Sequence, residues 1–409
     1  MKICLKSCYI SWIALFLAIM AVTLFSNIFV VSAAKLHVYS QAGQLYLNYQ
    51  EPGQFYRALK MEKESNNWWY ADELPDLIRF NIVDDKGQTD NLGGVLGEYP
   101  GDPAEDYSLN SQESWLKDGL LYPYNPDKIK PSDILTILTL NMHTYQEKNQ
   151  SEKLATIALA INKLNPDIVC FQECAQDRSS PLLKKHYGKD IRTDNMAEII
   201  TTLLREKYAK NYDYYWDWSH YGWDRWEEGV AVLAKYPLAK CDSHYVSHNT
   251  EKTFWKSRNV VYAEVATPLG TINVFSAHLG WWTDTEEPYR FQIDNLLSWE
   301  SSLQNKKITA TFMCGDFNEA AGSEGYNYTI KNGKIIDSYF ACFANSMLDS
   351  TIGGKIDGWQ DGDGLGKRID YIFMNDGAKL KPILAQRIFT EKCFGRVSDH
   401  VGVYAFFKK

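Results

Sequence analysis

Carboxylate, amide and imidazole side chains recur in short motifs along the last two thirds of this chain, and each motif borders an apolar run. In chain order they are Asn141, Glu173, His278, Asp316 with Asn318, Asp370, and Asp399 with His400. Carboxylate and amide oxygens are hard ligands that suit Mg²⁺ or Mn²⁺, whereas a zinc site would need more His or Cys at close spacing. Two histidines beside carboxylates that can orient them supply general acid–base chemistry. A metal, a base and donors for developing charge are what hydrolysis of a phosphate ester requires.

Each motif alone also has an ordinary structural interpretation. Asp316-Phe317-Asn318 is typical of a turn, and Ser-Asp399-His400 is typical of the start of a helix or strand. The ordered set is more specific than its members, because every motif lies at the end of a predicted strand. Strand ends of layered α/β folds are where rigid backbone aims side chains into a cleft. His143 has a weaker assignment, and packing or substrate contact are equal interpretations of it.

The elements that would position these residues alternate between strands and helices. The predicted strands cover residues 134–140, 167–172, 229–234, 260–267, 271–277, 308–313, 369–374 and 401–407. The predicted helices cover residues 151–164, 195–208 and 288–304. The strands 260–267 and 271–277 are expected to form a hairpin. Strands that alternate with helices and also pair in hairpins predict a layered α/β enzyme with mixed sheets.

Residues 34–121 form a different block, rich in Tyr, Asn, Gly and Pro. Its short alternating apolar runs, such as Leu45-Tyr46-Leu47, are typical of the strands of a small antiparallel domain. Residues 122–127 are punctuated by two prolines and predict a linker to the catalytic block, residues 122–409.

The first 33 residues have the layout of a secretory signal peptide. Lys2 and Lys6 precede an uncharged apolar stretch, residues 9–31, and Val31-Ser32-Ala33 is a small-residue cleavage site. An uncleaved amino-terminal anchor is the alternative, because the apolar stretch is long. We therefore expect a secreted or cell-surface protein that contacts the membrane only if the signal is uncleaved.

Composition and charge exclude several classes of protein. The 409 residues, 45% hydrophobic and 23% charged, suit a globular protein of two or three domains rather than a disordered chain. The net charge of −8 argues against a general electrostatic grip on nucleic acid or anionic membrane. The short basic cluster Lys252, Lys256 and Arg258 is interpreted as a phosphate contact or a solvated loop. Cys170 and Cys314 lie in apolar runs and are expected to be buried thiols; a disulfide framework is possible but unsupported.

The ordered motif set resembles the endonuclease/exonuclease/phosphatase superfamily over about two thirds of the chain, from near Pro131 to Lys409. The resemblance implies an α/β fold, a four-layer sandwich with two packed mixed β-sheets and a metal-dependent phosphoesterase site at one end. It further implies that Asn141 and Glu173 hold Mg²⁺ or Mn²⁺. Asp399 would either bind the metal as a further ligand or contact one of the metal ligands.

The same resemblance implies roles for the catalytic residues. Asp316 would position or deprotonate the attacking water, and Asn318 would bind a phosphoryl oxygen. His278 would donate to the phosphoryl group. Asp370 would orient His400 as the general base or acid.

Further motifs resemble one branch of the superfamily, the bacterial maltose 6′-phosphate phosphatases. They are His278-Leu-Gly-Trp281-Trp282-Thr-Asp284, Glu228-Gly-Val-Ala-Val-Leu, Glu324-Gly-Tyr326 and Ile356-Asp357-Gly-Trp359. The resemblance implies a phosphorylated sugar as substrate, held by the indoles Trp281, Trp282, Trp223 and Trp226. The aromatic segment 212–226 is interpreted equally as sugar-facing or as a loop packed on the core. Members of that branch are expected to be intracellular, so the secretory leader departs from it and puts maltose 6′-phosphate itself in doubt.

A second resemblance lies in the amino-terminal block. Asn-Trp68-Trp69-Tyr, Ile-Arg-Phe80-Asn and Gly-Gln88-Thr-Asp90-Asn-Leu resemble the small starch-binding modules of bacterial amylases. The resemblance implies a β-sandwich that binds α-glucan through Trp68 and Trp69, with Gln88 and Asp90 nearby. The alternative is an extra β-domain that only packs on the enzyme.

The sequence therefore predicts a secreted metal-dependent phosphoesterase, a sugar-phosphate phosphatase preceded by an α-glucan-binding module. One alternative is a secreted nuclease or phosphodiesterase of the same superfamily. Another is a catalytically inactive carbohydrate-binding surface protein. No stable nucleic-acid partner is expected, because the chain is acidic and its catalytic block has no long basic run.

Overall fold

A computed structural model of the chain describes residues 34–51, 53–75, 78–86, 107–109, 113–303, 307–342, 350–352 and 367–409. The predicted signal segment lies outside these residues, as do Gln88 and Asp90. Within the described ranges, no helix has both the length and the apolar character needed to cross a membrane.

The amino-terminal part contains strands but no helix among its described residues, as predicted. They are β1 (Ala34–Tyr39), β2 (Leu45–Gln50), β3 (Arg57–Lys60), β4 (Glu62–Lys63), β5 (Trp68–Leu74), β6 (Ile78–Asp84), β7 (Tyr107–Leu109), β8 (Glu113–Lys117) and β9 (Leu120–Tyr122). They form a five-stranded sheet in the order β4-β5-β1-β8-β9 and a four-stranded sheet in the order β3-β2-β6-β7. Inward-facing side chains of both sheets, such as Leu36, Leu47 and Phe80, are buried in one hydrophobic core.

Trp68 and Trp69 lie inside this part of the protein, contrary to the glucan-binding prediction. Trp69 is 3% exposed and belongs to the core, and Trp68 is 6% exposed. The Trp68 ring meets Tyr39 edge-on, and its Nε1 donates to Asp127 Oδ2 at 3.1 Å. Because burial covers the faces of both indoles, neither can stack on a sugar ring. The structure therefore corrects the prediction for these two residues.

The segment predicted as a linker is packed against the catalytic part. The backbone N–H of Leu121 donates to Gln386 Oε1 at 2.9 Å, and Gln386 Nε2 donates to Leu121 O at 2.8 Å. The next residue, Tyr122, meets Phe406 edge-on. Strand β9 therefore crosses the predicted boundary and attaches the amino-terminal sheets to their neighbour.

The remaining part of the chain alternates strands and helices. Its strands are β10 (Ile134–Asn141), β11 (Ile168–Gln172), β12 (Gln176–Asp177), β13 (Leu182–His186), β14 (Lys189–Arg192), β15 (Asp213–Gly222), β16 (Trp226–Ala234), β17 (Leu238–Tyr245), β18 (Asn259–Thr267), β19 (Gly270–His278), β20 (Ile308–Asp316), β21 (Ile335–Asp337), β22 (Asp370–Asn375), β23 (Lys381–Ile388) and β24 (Gly402–Lys408). Its helices are α1 (Gln150–Leu164), α2 (Met196–Tyr208), α3 (Tyr289–Ser302), α4 (Glu324–Gly333) and α5 (Ser338–Cys342).

Two large mixed sheets pack face to face in this part. One has seven strands, β12-β16-β11-β10-β24-β23 with β15 paired to β16, and the other has six, in the order β17-β18-β19-β20-β22-β21. Apolar side chains of α1 and α2 pack on the first sheet, and those of α3 and α4 pack on the second. The predicted four-layer α/β sandwich is confirmed. Cys170 and Cys314 are buried free thiols within it.

Most of the aromatic segment 212–226 is strand β15 rather than a loop, and the segment ends in the tip of a hairpin. Strand β15 pairs antiparallel with β16 along its length, and Tyr214, Tyr215 and Trp216 are buried. At the tip of the hairpin, Trp223 and Asp224 adopt positive φ angles of 49° and 53°. Most of these aromatic side chains therefore belong to the core, and only the tip remains for other contacts.

Asp167 is the centre of a buried charge network beside β10 and β11. Its carboxylate lies 2.5 Å from Lys130 Nζ and 2.8 Å from Lys235 Nζ, and it accepts the backbone N–H of Thr136 at 2.7 Å. Burial alone would raise the pKa of Asp167, but the two ammonium groups outweigh it and hold the pKa below its usual value. The charged form is therefore part of the folded state.

We expect Asp167→Asn to lower the free energy of unfolding by about 3–5 kcal/mol, because two partly buried ammonium groups lose their partner. Urea denaturation at pH 7 measures this loss. Because the folded-state pKa is lowered, the stabilisation is present at neutral pH and is lost as the pH falls into the acid range. Asp133→Asn is the control, because Asp133 pairs with Lys408 at the surface. A loss no larger in the buried variant than in this control would contradict the assignment.

Candidate active site

The strand ends bring the predicted residues together at one edge of the sandwich. Asn141 is the last residue of β10, and Glu173 is the first residue after β11, its parallel neighbour. On the second sheet, His278 at the end of β19 lies opposite Asp316 at the end of the parallel strand β20. Asp370 begins β22 and faces Asp316 from the other side. The topology therefore supplies the site from both sheets.

Hydrogen bonds join the two sheets directly behind this edge. Gln172 Nε2 donates to Ser276 Oγ at 2.9 Å, and Ser276 Oγ donates to Phe171 O at 2.9 Å. Gly315 has a φ of 135°, and a Cβ placed there would stand 2.0 Å from Ala277 O and 2.9 Å from Gln172 Nε2. Glycine is required at this position because any side chain would separate the strands that carry the site.

His400 and Asp370 form a buried acid–base pair. His400 Nδ1 lies 2.9 Å from Asp370 Oδ2, and His400 Nε2 lies 3.8 Å from Asp316 Oδ2. Burial alone would lower the pKa of His400, but Asp370 and neighbouring carboxylates raise it to about 10. Burial is the main cause that raises the pKa of Asp316 to about 7. A carboxylate with a pKa near neutrality suits proton acceptance at neutral pH.

Asn141 connects Glu173, a predicted metal ligand, to Asp316, the predicted partner of the attacking water. Its Nδ2 donates to Glu173 Oε1 at 2.9 Å and to Asp316 Oδ2 at 3.1 Å, while its Oδ1 accepts the backbone N–H of His143 at 3.0 Å. Burial and the nearby Glu228 raise the pKa of Glu173 to about 8. A divalent cation would relieve this cost, because it would offset the repulsion between the carboxylates of Glu173 and Glu228, and carboxylate oxygens are hard donors. The donor set fits Mg²⁺ or Mn²⁺.

Asp399 lies in a second group of possible ligands, with His143 and Glu147. Its Oδ1 is 3.5 Å from His143 Nδ1, and Glu147 Oε1 lies 2.7 Å from the same nitrogen. Lys153 pairs with Glu147 and offsets part of the negative charge. The structure thus places Asp399 beside His143, at the edge of the predicted metal site.

Glu228 of β16 is a site residue that the sequence analysis did not assign. Its Oε2 accepts from Thr144 Oγ1 at 3.0 Å, and its Oε1 lies 3.4 Å from His220 Nε2 and 3.9 Å from His278 Nδ1. Burial acts to raise the pKa of Glu228, but the nearby His220 and Arg258 act in the opposite direction and the pKa is lowered to about 2. Burial and Arg258 hold the pKa of His278 well below its usual value. His278 is therefore a neutral imidazole at neutral pH.

These groups line a cavity of about 420 Å³. Three indoles, those of Trp223, Trp255 and Trp281, also line it. Trp223 and Trp255 are about half exposed, and the Trp255 and Trp281 ring centroids are 6.0 Å apart. The cavity therefore has acidic and imidazole groups along its floor and aromatic faces at its mouth.

The comparison with protein families agrees with this geometry. The sequence profile of the Endonuclease/Exonuclease/phosphatase family matches residues 138–400, more than half of the chain. This chain belongs to that family. The family consists of phosphoester hydrolases that typically use divalent metal ions.

A comparison with solved structures found several that are similar to this chain. A family protein from Leptotrichia buccalis C-1013-b is 27% identical, with a TM-score of 0.58 over 67% of this chain and 100% of that one. The catalytic domain of human Nocturnin with bound sulfate is 18% identical, with a TM-score of 0.49 over 68% and 96%. A mannosyl-6-phosphatase from Bacteroides thetaiotaomicron VPI-5482 is 16% identical, with a TM-score of 0.46 over 67% and 100%. No curated protein sequence matches the chain significantly.

Two of the four tryptophans predicted to bind substrate in this family member do not line the cavity. Trp226 stacks on Tyr145 with ring centroids 4.6 Å apart. Trp282 packs against Tyr289 and Tyr328 on the far side of its loop. The structure therefore corrects the prediction for Trp226 and Trp282, whereas Trp223 and Trp281 do line the cavity.

Arg258 and Asn318 line the cavity, whereas Lys252 and Lys256 are not among its lining residues. Lys256 pairs with Asp284 at 2.7 Å, and Lys252 Nζ lies 3.9 Å from the centre of the Trp218 ring. Arg258 and Asn318 do line the cavity, and Asn318 Nδ2 donates to Leu279 O at 2.9 Å. Of the three basic residues, Arg258 alone belongs to the described cavity lining.

Proposed function

We propose that this phosphoesterase is a metal-dependent phosphatase that removes phosphate from a phosphorylated sugar. One observation carries the proposal: the cavity joins carboxylates and imidazoles on its floor to the indoles of Trp223, Trp255 and Trp281. Its volume of about 420 Å³ lies in the range of small-molecule sites. Indoles offer large flat apolar faces that suit the apolar face of a sugar ring.

The proposed division of labour follows from the positions of the side chains. A divalent ion held by Glu173 and Asn141 would neutralise phosphoryl oxygens and lower the pKa of bound water. Asp316, with its pKa near 7, accepts the proton of the attacking water. The P–O bond to water forms as the P–O bond to the sugar breaks, and His278 donates to a phosphoryl oxygen. His400, oriented by Asp370, delivers a proton to the sugar oxygen that leaves.

A nuclease or phosphodiesterase of the same family is the second candidate, and it has less support. A nuclease must hold a polyanion along its backbone, yet the chain is acidic. Lys252 and Lys256, near the cavity, are engaged by Trp218 and Asp284. The structure also provides an intact set of acidic, amide and imidazole groups, which argues against an inactive binding protein.

Two further parts of the proposal, the cellular location of the protein and its binding of α-glucan, are supported by sequence pattern alone. We infer a secreted or cell-surface location from the leader, residues 1–33. Binding of α-glucan by the amino-terminal sheets stays a prediction, and it would require residues other than the buried Trp68 and Trp69.

The purified chain tests the proposal when it is assayed with Mg²⁺ or Mn²⁺ against a parallel set of substrates. We expect faster phosphate release from maltose 6′-phosphate or short phosphorylated glucans than cleavage of DNA, RNA or a phosphodiester. Colorimetric phosphate detection and gel electrophoresis give the two rates. Robust DNA cleavage with no phosphate released from any sugar phosphate would overturn the proposal and leave the family assignment standing.

We expect Trp255→Ala and Trp281→Ala each to raise KM for the sugar phosphate by about 3- to 10-fold, because an aromatic face is lost. KM for a minimal aryl phosphate should change less, since the phosphoryl contacts remain. Trp115→Ala is the matched control, because Trp115 stacks on His37 in the amino-terminal part. Equal changes in KM for both substrates would contradict the proposal that these indoles bind the sugar.

A further inference from the structure

Arg258, just before β18, carries a buried guanidinium that has open hydrogen-bonding capacity. The residue is 3% exposed and lines the cavity. Its Nη1 donates to Trp255 O at 3.0 Å and lies 3.4 Å from Ser257 O. Its Nε and Nη2 donate to no residue that the structure describes. A buried cationic donor without an acceptor is costly, so the buried Nε points to a ligand, and Nη2 lies on the same edge of the guanidinium.

The charges around Arg258 do not supply that acceptor. Glu228, Glu173 and Asp316 act on it at longer range, yet among the described residues no carboxylate comes within ion-pair distance of the guanidinium. The field of these carboxylates keeps a cation favourable at this position. The Nε–Nη2 edge remains available for oxygens that enter the cavity.

The segment that carries Arg258 is held firmly in place. Lys256 pairs with Asp284 at 2.7 Å, and the carboxylate of Glu287 accepts the backbone N–H groups of His248 and Asn249, both at 2.7 Å. These bonds fasten the segment to the loop that carries Trp281. The guanidinium carbon lies 5.9 Å from the Trp281 ring centre. Arg258 is therefore oriented before any substrate binds.

We propose that the Nε–Nη2 edge of Arg258 binds two terminal oxygens of the substrate's phosphate and makes the site selective for phosphomonoesters over phosphodiesters. The inference rests on the proposed function and adds the basis of its selectivity. The Nε–Nη2 edge is a planar fork of two parallel N–H donors, which matches two oxygens on one phosphorus atom. A lysine offers only a point charge at the same place.

The selectivity follows from counting oxygens. A phosphomonoester has three terminal oxygens, so two can bind Arg258 while the third faces His278 and the metal-binding residues. A phosphodiester has two non-bridging oxygens in total, so pairing both with Arg258 leaves none for the opposite side. A phosphodiester therefore loses either one of its two hydrogen bonds to Arg258 or its contact with His278 and the metal-binding residues.

Arg258→Lys, which keeps the charge, and Arg258→Gln, which removes it, separate the fork from the charge. Arg290→Gln is the control, because Arg290 is exposed on α3 and contacts Tyr328 and Asp294. We expect both Arg258 variants to lower kcat/KM for an aryl phosphomonoester by roughly 10²-fold, from the loss of two charge-assisted hydrogen bonds. We expect a loss below about 10-fold for a bis-aryl phosphodiester, which cannot use the whole fork.

Binding of inorganic phosphate, measured by calorimetry, gives a readout independent of turnover. We expect its Kd to rise in both Arg258 variants and to stay unchanged in Arg290→Gln. Equal losses on monoester and diester, or an unchanged phosphate Kd in folded Arg258→Gln, would overturn the inference. If the unaltered chain bound phosphate through Arg258 yet hydrolysed no phosphomonoester, the proposed function would fail while the phosphate site stood. Circular dichroism of Arg258→Lys excludes unfolding as the cause.

Discussion

Replacing Asp370 with Asn is expected to lower kcat by about 10²–10⁴-fold in a chain that remains folded. Asp370 Oδ2 lies 2.9 Å from His400 Nδ1, and both side chains are buried. A carboxylate accepts the Nδ1–H and so keeps Nε2 directed at the reacting groups, whereas an amide can donate and hold the ring in the wrong tautomer. Steady-state kinetics on a phosphomonoester measures the loss.

The matched control for that experiment is Asp294→Asn. Asp294 is exposed on α3, where it accepts from Tyr328 Oη, away from the cavity. We expect wild-type kcat from this control. An Asp370→Asn variant with wild-type turnover and a native spectrum would assign Asp370 to structure rather than to catalysis.

Glu173→Gln is expected to reduce activity by about 10³-fold or more, because an oxygen ligand of the metal loses its charge. Calorimetric titration with Mg²⁺ or Mn²⁺ should show weaker binding than in the unaltered chain. The metal-free variant should be at least as stable to urea as the unaltered chain, since burial and Glu228 already raise the pKa of Glu173 to about 8. Loss of activity therefore cannot be attributed to unfolding.

Chelation provides the complementary test of the metal. Exhaustive EDTA treatment should abolish activity of the unaltered chain, and added Mg²⁺ or Mn²⁺ should restore it. Glu206→Gln is the control, because Glu206 is an exposed residue of α2. Full activity after chelation, or equal metal affinity in Glu173→Gln, would contradict the metal assignment.

The fold and half of the site followed from simple patterns in the sequence. Long apolar runs identified β10, β11, β19 and β20, and the carboxyl ends of parallel neighbours in one sheet must lie at the same edge. This principle explains why Asn141 lies beside Glu173 in one sheet and His278 lies beside Asp316 in the other. The hydrogen bond from Asn141 to Asp316 crosses between the two sheets, and the pattern of apolar runs did not predict it.

Residues inside strands were harder to assign. Glu228 is the third residue of β16 and His220 the eighth of β15, so neither marks the end of a strand. Both strands are mostly buried along their length. An alternation of polar and apolar residues therefore cannot show which face of each strand meets the cavity. The motif that begins at Glu228 indicated only a resemblance, without a role.

The exposure of the tryptophans was also difficult to predict from the sequence. Trp68 and Trp69 follow each other in β5 and so point to opposite faces, yet Trp69 packs in the core and Trp68 packs against Tyr39 and Asp127. Trp255 meets Trp281 because the Lys256–Asp284 pair joins two separate loops. Sequence pattern shows that an indole is present, but contacts between distant segments decide whether it is exposed.

The position of β24 determines when the site can be completed during synthesis of the chain. This strand lies between β10 and β23, and His400 precedes it by two residues. A chain synthesised from its amino end presents Asn141 and Glu173 long before His400, and the first sheet keeps a strand-wide gap until the final residues arrive. A growing polypeptide therefore lacks the complete set of predicted catalytic residues until its last residues have been added. We therefore expect activity toward phosphate esters only after β24 has paired with β10 and placed His400 beside Asp370.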